Sequence, residues 1–279
     1  MAKMLAAGAN DFLAKPLSRI QTVNRVKMHL EQREAQEGND RLRKHLLAMN
    51  AEMERALNAR NSDLIASRNA LVFSLAKLVE SRSSETSGHL LRIQKFCVAL
   101  AEGASKTPKF APQIDDNFVR MLECCSPLHD IGNVALPDNI VMNATKLDAE
   151  ERLIMQSHTT IGAETLQAVA SKHGSAVAFL QMAIDIARHH HERYDGAGYP
   201  DRLAGERIPL AARILSIADV YDALRCKVKY RPAMSHLAAM EMMLEGSVGQ
   251  FDPNLLSVLR NVGGEFERIF AEFPDIRSY

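Results

Sequence analysis

Tryptophan is absent from the chain, and aromatic residues make up only 5% of its 279 positions. With Leu, Ala, Met and Glu plentiful, that shortage favours helices. Net charge is missing as well, since 34 Lys and Arg balance 34 Asp and Glu. No basic face for duplex nucleic acid is therefore expected, although a local pocket for a small phosphate ligand stays open. Only four cysteines occur, Cys97, Cys124, Cys125 and Cys226, and none has a CxxC spacing. Adjacent cysteines rarely bridge each other, so a reduced, cytoplasmic setting is expected. Long hydrophobic runs are also lacking: AVAFLQMAIDIA at 176–187 is interrupted by Gln181 and Asp185 and is too short for a bilayer. The first residues, MAKMLAAGANDF, show no apolar stretch and cleavage site of a secretory signal. An apolar share of 47% and a charged share of 24% put the chain in the globular range.

Three textures follow along the chain. Residues 1–20 carry the turn-rich AGANDFLAKPLS, too short to fold alone. Residues 21–78 hold no proline and a single glycine, Gly38, and Leu57, Leu64, Leu71 and Leu78 recur every seventh position. That spacing predicts one long helix with a leucine stripe. The companion seam is poorer, because Met53 is followed by Arg60 and Ser67. The helix could lie on its own domain or pair with a second copy; the stripe favours the homodimer. From residue 79 onward helical segments succeed one another, with Asp115 and Asp148 placed as N-caps. An all-α domain of about 200 residues, a size one core can support, is expected.

The chemistry concentrates in histidines close to carboxylates. HHHERYDGAGYP at 189–200 puts three histidines before a glycine-rich turn, and His129 adjoins Asp130. Glu85 and His89 stand four apart and would share a helical face. His158 falls within a helical segment, and Asp219 lies in SIADVYDAL. Singly, each has a plainer reading: a hydrogen-bonded core histidine, a helix cap, a solvated pair. Together they suggest inward-facing ligands on separate helices of a bundle, as in metal sites built in helical cores. Buried imidazoles and carboxylates without a cation would be costly.

HDIGNVALPD at 129–138, HTTIGAE at 158–164, HHERYDGAGYP at 190–200, ADVYDAL at 218–224 and GQFDP at 249–253 resemble the HD-GYP family, a branch of the HD superfamily of metal-dependent phosphohydrolases. The resemblance spans about residues 79–260. It implies an HD-type helical bundle over 79–279, preceded by the helical linker 21–78. The stretch AGANDFLAKPLS resembles the last strand and turn of a response-regulator receiver domain, making 1–20 its remnant. The implied activity is a metal-dependent phosphodiesterase opening cyclic di-GMP to the linear dinucleotide, and in some members on to GMP. Carried over position by position, the metal ligands would be Glu85, His89, His129, Asp130, His158, His190, His191 and Asp219. His129 and Asp130 would serve catalysis, and Asp130, with two oxygens to share, would bridge. The glutamate at position 85 goes with a three-metal site in the family, so two or three divalent ions are implied, iron or manganese before zinc. A shell of His and carboxylate suits these metals.

Within the loop, Gly196 and Gly198 are expected to permit backbone angles that a Cβ forbids. Pro200 would stiffen the exit, Glu192 and Asp195 would fix the loop, and His189 would stay apart from the metals. Tyr199, Asn133 and Arg231 are the substrate-contact candidates. Two positions depart from the family pattern. Asn133 stands where HDIGK members have a lysine for the substrate phosphate, and Val228 stands where an arginine is common, flanked by Lys227 and Lys229. The metal shell is complete and the phosphate clamp is not. The alternative is therefore a metal-containing cyclic-dinucleotide binding or signalling protein with little turnover.

Overall fold

The computed structural model describes residues 6–13, 15–82, 88–142, 147–173, 177–227 and 232–274. Glu85, Val228 and Arg231 lie outside these residues. The all-α expectation holds: no strand occurs among the described residues. The chain divides into two units, Met1–Ala66 and Ser67–Tyr279.

In the first unit the turn before the long helix is tied down by one carboxylate. Asp11 accepts from the Phe12 backbone at 2.8 Å and faces His29 at 3.0 Å and Arg25. Helix α1, Arg19–Glu80, runs 62 residues without a break, as the near-absence of Gly and Pro predicts. Its leucine stripe is not packed: Leu57, Leu64, Leu71 and Leu78 are 50%, 60%, 68% and 67% exposed. Burial along α1 begins only at its C-terminal end, where Ala76, Val79 and Glu80 turn inward within the second unit.

The second unit is assembled around α2, His89–Ser105. Its Ile93, Phe96, Cys97 and Leu100 are fully buried, at the three- and four-residue spacing that puts them on one helical face. Helix α3, Asp116–Cys125, starts at Asp115, whose side chain accepts from Phe118 N at 2.7 Å. Two short 3-10 turns follow, Ser126–Leu128 and Ile131–Ala135, and then the single turn α4, Asp138–Val141. Helix α5, Ala149–Gln156, begins with a reciprocal capping box between Asp148 and Glu151. Both sequence-assigned caps are thus in place.

Helices α6, His158–His173, and α7, Val177–His189, pack against each other. Helix α8, Leu210–Arg225, is buried along most of its length, with Arg213, Ser216 and Asp222 among its buried positions beside the apolar ones. Short α9, His236–Glu241, leads through a π turn to α10, Pro253–Glu272, capped by Asp252 at 2.8 Å from Asn254 N. Three aromatic rings meet at the centre. Phe96, Tyr221 and Phe266, from α2, α8 and α10, have ring centroids 4.6–5.2 Å apart, a spacing at which aromatic pairs attract beyond their area burial. This core fixes α2 and α8 side by side, and both carry candidate ligands.

Candidate metal centre

The histidines are presented at the ends of helices and 3-10 turns. His129 and Asp130 leave the first 3-10 turn just before the second. His158 opens α6, His190 and His191 follow the end of α7, His89 opens α2, and Asp219 lies within α8. Seven of the eight ligands implied by the resemblance come together in two groups whose donor atoms lie within 4.8 Å of one another. Asp130, His158, His190 and His191 form one; His89, His129 and Asp219 form the other. The rings of His129 and His190 join them, with centroids 5.3 Å apart. Glu85, the eighth, lies outside the described residues. His189 turns away to Asp201, 3.1 Å from its carboxylate.

Whether a cation suits this arrangement is decided by the tautomers. Nδ1 of His129 contacts Ser126 O at 2.9 Å, that of His158 contacts Met155 O at 2.6 Å, and that of His190 contacts Ile186 O at 3.0 Å. A carbonyl oxygen only accepts, so each Nδ1 carries the hydrogen, and in the neutral ring Nε2 presents its lone pair inward. Nε2 of His158 and Nε2 of His190 are 3.4 Å apart. Both face Asp130 Oδ1, at 3.1 and 3.5 Å. Lone pairs and a carboxylate aimed at one point repel unless positive charge sits among them, which is the condition a metal site meets.

The protonation tendencies record that demand. Burial would raise the Asp130 carboxyl, yet the imidazoles of His129 and His158 hold it well below the usual carboxylate range. Burial opposes a proton on His158, but the charge and hydrogen bond of Asp130 outweigh it and leave His158 above its ordinary value. Burial, with His190 and His158 beside it, keeps His191 well below its ordinary value. Burial likewise lowers His129. Metal binding to such a set releases the proton His158 favours. None of the four cysteines belongs to either group; all are buried free thiols.

One candidate residue escaped the sequence reading. Asp222, three residues past Asp219 in ADVYDAL, is 1% exposed, and its Oδ2 is 2.8 Å from His89 Nδ1. It also receives Arg92, through Nε and through a second guanidinium nitrogen at 2.9 Å. It therefore orients His89 as the backbone carbonyls orient the other rings. The second acid one turn after Asp219 was the available signal; its burial was not readable.

The GAGYP loop forms the wall beside the first group. Tyr199 lies over His191 with ring centroids 4.9 Å apart, and burial pushes its hydroxyl pKa up, so it stays a proton donor. Glu192 fixes the loop by accepting from Asp201 N at 2.7 Å and Leu203 N at 3.1 Å. Asp195 accepts from Ala197 N at 2.9 Å and pairs with Arg193. Of the two glycines, Gly196 has φ +81°, as a Cβ-free position allows. Gly198 is needed for close approach instead: a Cβ there would lie 2.3 Å from Arg193 N. A cavity of about 550 Å³ opens next to the loop, bordered by Gln156, Ser157, Thr160, Tyr199, Pro200 and Arg202.

A family profile described as "HD domain" matches residues 59–255. The chain belongs to the HD domain family. Its relatives include an enzyme of Vibrio cholerae named cyclic di-GMP phosphodiesterase, 40% identical over 79% of this chain and 44% of the relative. The cyclic di-GMP phosphodiesterase response regulator RpfG of Xanthomonas campestris is 33% identical over 96% of this chain and 66% of the relative. The 3'3'-cGAMP-specific phosphodiesterase 2 of Vibrio cholerae is 38% identical over 76% and 38%. The chain thus spans between 38 and 66% of the length of these relatives. For this HD domain protein the HDIGN and GAGYP signatures agree with the HD-GYP branch. Among the described residues no helix is long and apolar enough to cross a membrane.

Proposed function

We propose that this HD domain protein is a metal-dependent phosphodiesterase that hydrolyses cyclic di-GMP to the linear dinucleotide and, in a second cut, to GMP. The observation that carries the reading is the convergence of Nε2 of His158 and His190 on Asp130 Oδ1, beside His89, His129 and Asp219. Glu85, His89, His129, Asp130, His158, His190, His191 and Asp219 would hold two or three ions, iron or manganese, as the thiolate-free donor set suits. When bound, these ions supply Lewis acidity and a nucleophile at neutral pH. His129 and Asp130 sit at the junction of the two groups and would hold the ions that face the reacting phosphate.

Tyr199 offers its retained proton to substrate at the wall of the site. The neighbouring cavity of about 550 Å³ is within the size range of small-molecule sites and would take a nucleobase. By the resemblance Asn133 stands at the phosphate-contact position, and Arg231 would supply the basic contact. The names of the relatives support a cyclic dinucleotide as substrate, with 3'3'-cGAMP as the competing choice.

The leucine stripe, at least 50% exposed at each of its four positions, supports pairing of α1 with a second copy. The likeness to RpfG supports reading residues 1–20 as the end of a receiver domain, and the four reduced thiols fit a cytoplasmic setting. The second reading, a binding protein with little turnover, is favoured by the neutral Asn133 at the phosphate position.

Incubation of the iron- or manganese-loaded chain with cyclic di-GMP and 3'3'-cGAMP tests the proposal. Linear product from the wild type and none from Asp130→Ala is the expected result. Tight nucleotide binding without product would establish the second reading instead.

A further inference from the structure

Asn133 is 7% exposed, and its Nδ2 donates to Asp130 Oδ2 at 3.0 Å. Its Oδ1 is buried and has no hydrogen-bond partner among the described residues. Turning the amide over would place that oxygen against the carboxylate, so Asp130 dictates which way the amide faces. The turn that carries Asn133 is pinned on both sides. Asn133 N donates to Asp130 O at 3.0 Å, Arg82 donates to the carbonyls of Val134 and Leu136, and Gly132 is pressed against His158. The amide is therefore held in place while one of its atoms goes unsatisfied, and such an exception calls for a reason.

The two oxygens of Asp130 supply it. Oδ1 faces His158 and His190, whereas Oδ2 lies 3.8 Å from His129 Nε2, towards the other group. The terminal torsion of an aspartate is broad and nearly two-fold, so nothing intrinsic keeps the carboxylate in this setting. We infer that Asn133 is a positioning residue. Its amide holds Oδ2 so that the Asp130 carboxylate stands astride the two ligand groups, one oxygen to each. The inference rests on the metal-centre reading above and gives Asn133 a role exerted through Asp130 in addition to any contact with substrate.

Calorimetric titration of the metal-free full chain with Mn²⁺ tests it, comparing wild type with Asn133→Leu, a near-isosteric change that removes the donor. Losing an outer partner of a ligand weakens metal affinity by roughly 10–100-fold, and a loss of at least about tenfold is expected. The thermal midpoint of the metal-free protein should move little, since the unsatisfied oxygen that leaves with the amide offsets the donor lost at Asp130 Oδ2. Electron paramagnetic resonance of the manganese-loaded variant should show isolated ions in place of a coupled pair. Wild-type affinity with a coupled pair in Asn133→Leu would overturn the inference while leaving the metal centre standing. A wild type that binds no Mn²⁺ would instead remove the metal-centre reading. If the Leu variant loses its helical circular dichroism, Asn133→Ala, which only deletes atoms, carries the same comparison.

Discussion

Adding one carbon at Gly132 is the sharpest perturbation the site offers. A Cβ built there would lie 2.0 Å from the His158 carbonyl oxygen and 2.8 Å from Gly162 N, both backbone atoms that no side-chain rotation can clear. Real Cβ contacts essentially never fall under 3.0 Å, so at least 1.0 Å must open between the Ile131–Ala135 turn and the start of α6. The turn follows Asp130 directly and α6 begins with His158, whose Nε2 is 3.1 Å from Asp130 Oδ1. The same displacement therefore stretches the contact on which the first ligand group depends. Overpacking of this kind costs about 1–3 kcal/mol and occasionally more. For a domain of this size that lowers the thermal midpoint by roughly 2–12 °C. Sites of this type tolerate only about 0.5 Å of misplacement, so Mn²⁺ affinity should drop by at least about tenfold. Differential scanning calorimetry with a metal titration on Gly132→Ala reads both quantities. Gly264→Ala is the matched control: it lies on the exposed face of α10 with nothing within 4 Å of the added carbon, and it should gain about 0.5–1 kcal/mol. A Gly132→Ala protein with wild-type midpoint and wild-type titration would refute the reasoning.

Asp222→Asn keeps the shape but strips the charge that faces Arg92, which is fully buried. Stability measured by urea unfolding should fall by about 3–5 kcal/mol, the cost of breaking a buried pair. Metal affinity should fall with it, because His89 loses the acceptor that orients it; unchanged affinity would show that Asp222 is structural only. Leu64→Glu combined with Leu71→Glu places charges on the exposed stripe of α1 and should halve the mass seen by sedimentation. A wild type that already sediments as a monomer would end the pairing proposal.

The sequence by itself determined what is local. The helical class, the caps at Asp115 and Asp148 and the length of α1 follow from composition, spacing and near-neighbour hydrogen bonds, all of which act within a few residues. The motif residues were readable as types of donor for the same reason: imidazole and carboxylate are metal ligands wherever the chain puts them. Only the tertiary structure decided how they divide. The split into two groups, the service of Asp222 to His89 across 133 residues and the turn of the Asn133 amide onto Asp130 all depend on α2, α6, α7 and α8 packing around one core. The role of Gly198 shows the same limit. Its sequence suggested freedom of backbone angle, whereas its neighbours demand the space a Cβ would fill. Spacing along a chain carries no information about which backbone passes 2.3 Å from a given atom; burial and close packing settle that.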